Sequence, residues 1–444
     1  MLHMRVKMRE VIEPTMTSES GYKPKVLIVG GGLGGLTLAQ VFRKNGIPFE
    51  IFERDEHEVA RAQGWSLTLH SVLDGLFEAF PDDMPNFRES VHHLNPLDLE
   101  TQVVFYFNNE RIGTEGSPAT PLLRANRLQL RRWLSTKINV QYGRVASKVE
   151  RVGDKMVVTF RNGTTAMGDI VVGADGANSI VREHILGKPN KEILRNVPVG
   201  SITGEVKLSG RALARQLELA HSMAIIPVTT ADAWNHLFFG LTGISPDGQS
   251  GEFFWLVSWH DPLASATGRV AVNAFPRHER LEIAKKMVAN LDPKFRAIVE
   301  ETPAEGIRDI GWVPMDCHLD EIPLGRATLL GDAVHLMMPY KAEGGIHAMR
   351  DALHLGKLLS NLESGDDAAL HRALTTFYGE MLPRGAEAVE TSRTFQHEFR
   401  KDKTGVHAWG HPVRSLPDEK IEIGPEGVTK MSKGICKLQI VPSI

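Results

Sequence analysis

The feature that most restricts the fold is a run near the start of the chain, Val26-Leu27-Ile28-Val29 followed by Gly30-x-Gly32-x-x-Gly35. Four apolar, mostly β-branched residues read as a buried parallel strand, and the amphipathic stretch that follows, to about Lys44, reads as a helix. A strand, tight turn and helix in that order leave free N–H groups at the helix N-terminus facing an anion. Gly30 permits the turn, Gly32 lets a pyrophosphate approach the backbone, and Gly35 lets the helix lie close to the strand. A second strand, Phe49 to Phe52, ends in Glu53, near the spacing of roughly 20 residues at which an acid accepts hydrogen bonds from a ribose diol. A glycine turn that binds nothing is the plainer alternative, and the strand, helix and terminal acid together weigh against it. The unit alone fits NAD or FAD. Two further glycine-acid segments, DIVVGADGANSIVR from Asp169 and ATLLGDAVHLMMP from Ala327, turn the reading toward FAD.

The 444 residues are enough for roughly two to three domain-sized units and a sizeable core. Lys+Arg 51 against Asp+Glu 54, a net charge of -3, gives no electrostatic footprint for nucleic acid or an acidic membrane surface. Cys317 and Cys436 are too few for a disulfide framework or a metal cluster and read as reduced thiols. Residues 1–24 are polar, of mixed charge, and expected to be disordered, with Met16 as the more natural start. They carry no apolar core of a signal peptide or membrane span. A soluble, cytoplasmic enzyme is the expectation.

Farther along, Trp65 to Leu69 alternates like a strand, and Leu122 to Leu134 (LLRANRLQLRRWL) has leucines at helical spacing with arginines on the other faces. Arg124 and Arg127 are therefore candidates to reach a buried anion, the bland alternative being a solvated basic helix face. Strands are expected at Arg144 to Arg151 and Met156 to Arg161, with a turn at Asn162-Gly163. Between about Val197 and Trp259 short alternating runs, such as Val197 to Val206, His236 to Gly240 and Phe253 to Trp259, read as an antiparallel sheet inserted between nucleotide-binding parts. Thr328-Leu329-Leu330 returns as a buried strand ending at Gly331-Asp332, where ligands of α/β sheets bind. The loop Pro339 to Gly345 leads into a helix from near Ile346, a second helix spans about Asp366 to Gln396, and an irregular tail is expected beyond Gly405.

The three segments, in this order and spacing, resemble the flavoprotein monooxygenases related to para-hydroxybenzoate hydroxylase, many of which serve aromatic catabolism or secondary metabolism. The resemblance covers roughly Lys25 to Arg393. It implies an α/β fold in which a Rossmann-like FAD-binding sheet is interleaved with an antiparallel substrate sheet and followed by C-terminal helices. The implied divisions are a discontinuous FAD-binding domain (25–95, 120–190 and 305–365), a substrate domain (96–119 and 191–304), a helical region (366–404) and a tail (405–444). The family's dinucleotide motif falls on Gly30, Gly32 and Gly35 with Glu53 at the adenosine ribose, and Gly64 joins the cofactor set. Its flavin-contacting arginine, in an R-x-x-L-x-x-x-L helix, falls on Arg127 with Leu130 and Leu134. Its middle motif falls on Asp175 and Gly176, with Ser179 and Arg182, and its ribityl-holding motif on Asp332, followed by His335 and Pro339.

The loop after that proline departs from the family's G-x-G-x-N: Ala342 replaces a glycine and Ile346 an amide. An alanine is a problem only where positive φ is required. Gly344 and Gly345 still offer N–H groups at a helix start, suited to negative charge on a flavin. The resemblance implies that NAD(P)H, with NADPH favoured, reduces FAD. A flavin C4a-hydroperoxide formed from O2 then hydroxylates or epoxidises an apolar, aromatic or polycyclic small molecule. It implies pocket-lining roles for His236, Phe238, Trp255, Trp259, Met337 and Tyr340, the bland alternative being sheet core. His335, His236 and Tyr340 are the candidates for moving a substrate proton, although His335 occupies a position that the family commonly uses as scaffold. A flavin-dependent halogenase is disfavoured, because Trp255-Leu256-Val257-Ser258-Trp259 lacks the W-x-W-x-I-P spacing, and a non-catalytic flavin-binding regulator is the third alternative.

Overall fold

A computed structural model describes residues 22–60, 64–107, 109–117, 122–230, 233–309, 314–398, 413–424 and 427–433. Residues 1–21, with the suggested start Met16, lie outside them, as do 405–412 and 434–444, with Cys436, of the expected tail.

The buried run Val26–Val29 forms the centre of a five-stranded parallel sheet, in the order Ala327–Leu329, Ile170–Gly173, Val26–Val29, Phe49–Phe52 and Val140–Gln141. All four residues of Val26–Val29 and of Ile170–Gly173 are buried, as continuous apolar strands covered on both faces must be. Helix Leu33–Asn45 packs against helix Gly344–Ser360 on one side of this sheet. Three of the sheet's strands therefore end at one rim, carrying Gly30, Ala174 and Gly331, although they come from segments some hundred residues apart.

A second sheet of seven strands runs in the order Val199–Ser209, Ser250–His260, Ala233–Ile244, Met223–Thr230, Gln102–Phe107, Glu110–Glu115 and Arg414–Ser415. It is antiparallel except where Met223–Thr230 meets Gln102–Phe107. The two sheets have separate hydrophobic cores. Between them lies the two-stranded pair of Ser66–Leu69 with Leu123–Asn126.

Two expectations change. The stretch Leu122 to Leu134 is not one helix: Leu123–Asn126 is a strand paired with Ser66–Leu69, and the helix is Arg127–Leu134. The break falls at Asn126, whose side chain accepts from Gln129 N at 3.0 Å and so caps the helix. Beyond Gly405, where an irregular tail was expected, Arg414–Ser415 adds to the edge of the large sheet and Glu419–Gly424 pairs with Gly427–Lys433. Glu419 is buried there with its carboxylate 2.5 Å from His221 Nε2, a contact that ties the tail to the large sheet.

Candidate active site

The rim of the parallel sheet is a cradle of backbone. Gly30 has φ +113, and a Cβ on it would stand 2.2 Å from Ala174 O; a Cβ on Gly35 would stand 2.0 Å from Gly30 O. Both glycines are therefore required by the protein's own packing. Gly32 differs: a Cβ there would meet nothing within 4 Å, so its backbone borders open cavity. Gly32 is also the N-cap of helix Leu33–Asn45 and supplies no side-chain cap, leaving first-turn N–H groups for a ligand. Glu53 is buried beside them. Its Oε2 accepts from Gly31 N at 2.8 Å, its Oε1 accepts from Asp55 N at 3.0 Å, and Arg131 Nη2 lies 3.6 Å from Oε2.

Asp175 and Gly176 follow Ile170–Gly173 on the same rim. Asp175 Oδ2 accepts from Ile180 N at 2.8 Å, whereas Oδ1 is buried with no partner. Burial pushes its carboxyl above the ordinary aspartate value. Asp332 lies in the turn Gly331–Ala333, and burial also raises its pKa, with His335, Arg127 and Arg182 acting the other way. The turn is held from behind: Asp351 Oδ2 accepts from Gly331 N at 2.8 Å and meets His335 Nε2 at 2.7 Å, and Arg384 Nη2 donates to Asp351 Oδ1 at 2.6 Å. Burial disfavours the charged form of both partners. Even so, His335 and Arg384 hold Asp351 down to about 2, and Asp351 raises the pKa of His335.

This geometry corrects one candidate. His335 is fully buried, packs under Gly385 and does not line the cavity, so it positions the Asp332 turn and has no path to a substrate proton. Arg127, Gly64, Pro339, Gly344 and Gly345 all line the cavity, and Gly344 and Gly345 open helix Gly344–Ser360, whose N-cap Glu343 makes no side-chain cap bond. Ala342 sits at φ 53 in the left-handed region, so the alanine occupies a position that glycine would adopt without strain. Ile346, in place of an amide, is buried in the core.

The cavity continues from this cradle to the underside of the large sheet, with a volume of about 1630 Å³. Small-molecule sites usually measure about 300–1,000 Å³, so this one has room for a dinucleotide and a second molecule. His236, Phe238, Met337 and Tyr340 line it. His236 and Tyr340 meet edge to face, ring centroids 5.7 Å apart, and burial lowers the His236 pKa to about 4. Trp255 and Trp259 do not line it. Trp255 is fully buried on the opposite face, donating Nε1–H to Thr302 Oγ1 at 2.8 Å, and Trp259 lies over Gly200. Their place is taken by Phe254 and Leu256, one residue out of phase. Alternation in Phe253 to Trp259 identifies a strand, but both of its faces are apolar, so the pattern does not say which faces the ligand. The sequence presents Trp65, which stacks on Phe254 at 4.5 Å and 6°, only as part of a strand, and Arg131, 3.6 Å from Glu53, only as helix surface. Nothing local in the sequence marks Trp65; Arg131 carried a weak signal, one helical turn beyond Arg127.

The cradle fits FAD: bare backbone at an uncapped helix N-terminus for the pyrophosphate, a fixed carboxylate for a ribose, and an orphaned buried oxygen on Asp175. Comparison with known proteins agrees. Residues 28–94 match the model of an NAD(P)-binding Rossmann-like domain, and residues 302–392 that of an FAD binding domain. The chain is 41% identical to the FAD-dependent monooxygenase thnD of Trichoderma harzianum, over 83% of this chain and 92% of that protein. It is 29% identical to the FAD-dependent monooxygenase dbaB of Emericella nidulans, over 77% and 88%. Among solved structures, 2,6-dihydroxypyridine-3-hydroxylase from Arthrobacter nicotinovorans shares the fold with a TM-score of 0.65 at 17% identity, covering 95% of this chain and 100% of that one. No helix among the described residues is long and apolar enough to cross a membrane.

Proposed function

The chain belongs to the FAD-dependent monooxygenases, in the class related to para-hydroxybenzoate hydroxylase, and from that premise we propose that it uses NAD(P)H and O2 to hydroxylate or epoxidise an apolar aromatic or polycyclic small molecule, in secondary metabolism. For hydroxylation the balance is substrate C–H, O2, NAD(P)H and a proton giving C–OH, NAD(P)+ and water. FAD, when bound, supplies the electron transfer and oxygen activation. The observation that carries the reading is the continuity of one cavity from the bare Gly32 backbone to Phe238, Phe254, Met337 and Tyr340.

In this reading Gly32 and the N-terminus of Leu33–Asn45 would hold the pyrophosphate, Glu53 and Arg131 the adenosine end, and Asp332 the ribityl chain. Arg127, Asp175, Gly64 and Gly176 complete the cradle. The N–H groups of Gly344 and Gly345, at the uncapped start of their helix, would stabilise negative charge on a bound flavin. The apolar wall of Ile225, Phe238, Phe254 and Leu256 excludes water and orients a flat substrate. His236, neutral above about pH 4, can accept a substrate hydroxyl proton, and Tyr340 beside it can relay one. The separate cores of the two sheets support the division of the chain into a discontinuous FAD-binding part and a substrate part.

The test is turnover of purified holoprotein with candidate aromatic substrates under 18O2. The expected result is a yellow protein whose NAD(P)H consumption rises with substrate, and a product carrying one labelled oxygen. Product oxygen from water, or no reductant consumption with any aromatic compound, refutes the proposal.

A further inference from the structure

Arg124 occupies a position that the FAD cradle does not use. It lies on the strand Leu123–Asn126, is 2% exposed, and lines the cavity beneath the large sheet. Its backbone is fixed: N–H donates to Thr101 Oγ1 at 3.1 Å, and its carbonyl meets His93 Nδ1 at 2.7 Å. Its guanidinium has only neutral company. Nη1 donates to Thr68 Oγ1 at 3.1 Å and to Met223 Sδ at 3.3 Å, Nη2 donates to Ser66 O at 3.3 Å, and Nε is buried with no partner. No carboxylate among the described residues forms an ion pair with it, in contrast to buried Arg131 with Glu53. His93, the adjacent imidazole, has its pKa pushed well below the ordinary value by burial, so it stays neutral and neither adds to nor offsets the charge of Arg124.

An isolated buried guanidinium costs several kcal/mol unless something neutralises it. Burial lowers its pKa to about 9, which leaves it charged at neutral pH. The guanidinium packs closely on the large sheet: a Cβ on Gly240 would stand 3.0 Å from Arg124 Nη2 and 2.7 Å from the Phe254 ring, although the backbone of Gly240 has no positive φ that would demand glycine, so the absence of a side chain at this position makes way for Arg124 and Phe254. Arg124 is drawn toward the substrate side, since its neighbours Met223, Gly240 and Phe254 belong to the large sheet, whereas Asp332 feels Arg127 and Arg182.

We propose that Arg124 anchors an anionic oxygen of the substrate, a carboxylate or an ionised phenol, so that the chamber selects an acidic aromatic compound over its neutral counterpart. The planar fork of a guanidinium suits such an oxygen, and Phe238, Phe254 and Met223 receive the ring that carries it. The inference rests on the monooxygenase reading of the cavity. It is tested by binding to the oxidised holoenzyme, which needs no turnover, so its failure leaves oxygen incorporation from 18O2 to be judged separately.

The probes are two matched pairs, 2-naphthoate with 2-naphthamide and 4-nitrophenol with 4-nitroanisole at a pH where the phenol is ionised, titrated by calorimetry. The wild type should prefer the acid of at least one pair by roughly tenfold or more. Arg124→Gln should abolish that preference while changing the neutral member by less than about threefold, and Arg124→Lys should keep part of it. The carboxylate and phenolate arms tell the two sources apart. A wild type that prefers neither acid, whether it binds both members equally or not at all, overturns the proposal, and this holds even if both variants misfold. So does a preference that survives in Arg124→Gln, or an equal loss for acid and neutral compound, which would make Arg124 a hydrogen-bonded staple between the large sheet and the two-stranded pair.

Discussion

The cradle around Gly30, Gly32 and Gly35 is shaped by backbone conformation, whereas the chamber is lined by the side-chain-bearing residues His236, Phe238 and Phe254 of a sheet. The first kind of site tolerates no change in chain conformation but is indifferent to most neighbouring side chains. The second accepts many side chains but depends on which face of a strand carries them. A single cavity thus joins a part fixed by conformation to a part tuned by substitution.

The sharpest way to break this comparison lies within the glycines. Gly35→Val should yield no folded flavoprotein, because its Cβ has only 2.0 Å to Gly30 O, whereas Gly32→Ala should fold with an unchanged melting temperature and bind FAD more weakly. Equal loss of stability in both would mean that Gly32 is also structural. Next, Asp332→Ala should weaken FAD binding by roughly tenfold to a hundredfold with the fold kept by the Asp351, His335 and Arg384 cluster behind it. Flavin stoichiometry at limiting FAD measures this, and no change would remove Asp332 from the cradle.

Acid should separate the buried histidines from the Asp351 cluster behind the cradle. The pKa values of His92 and His236 are lowered to about 4 by burial, so the unfolded chain takes up their protons first as pH falls below 6.5. Their contribution is complete above that pH and is lost toward pH 4, at roughly 1.4 kcal/mol per pH unit for each buried group. Asp351, held down to about 2, loses its contribution only as pH falls below 3.8. Urea midpoints measured between pH 7.5 and about 4.5 should therefore fall before the contribution of Asp351 is lost; a flat profile contradicts this order.

The register of the large sheet can be tested directly. Trp255→Phe removes the bond to Thr302 and should cost about 1–2 kcal/mol with substrate KM unchanged, whereas Phe254→Leu should raise KM severalfold at a smaller cost in stability. The reverse pattern would put Trp255 on the ligand face. The smallest expected effect is at Ala342: glycine there should stabilise the protein by roughly 0.5–1 kcal/mol, read by chemical unfolding, because φ 53 strains an alanine.

Much of the cradle was legible because its signals are local. Gly30, Gly32 and Gly35 declare a turn and a close helix, Glu53 ends the next strand, and Asp175 and Asp332 each follow a short apolar strand. Continuous apolar strands alternating with amphipathic helices also fixed the α/β class, since such strands must be buried on both faces. The helix expected across Leu122 to Leu134 failed at its first turn because Arg124 pairs with Thr68, a partner 56 residues away that no local period reveals. Trp255 and Phe254 are equally apolar, and only packing against Thr302 on one face and Trp65 on the other decided which of them enters the chamber. By itself, then, the sequence determined the glycine turns and the strand–helix order of the dinucleotide unit, because backbone sterics and periodicity act between near neighbours. The tertiary structure alone decided the inward face of the large sheet, the burial of His335 beneath its turn, and the lone charge of Arg124, because each depends on what a distant part of the chain brings alongside.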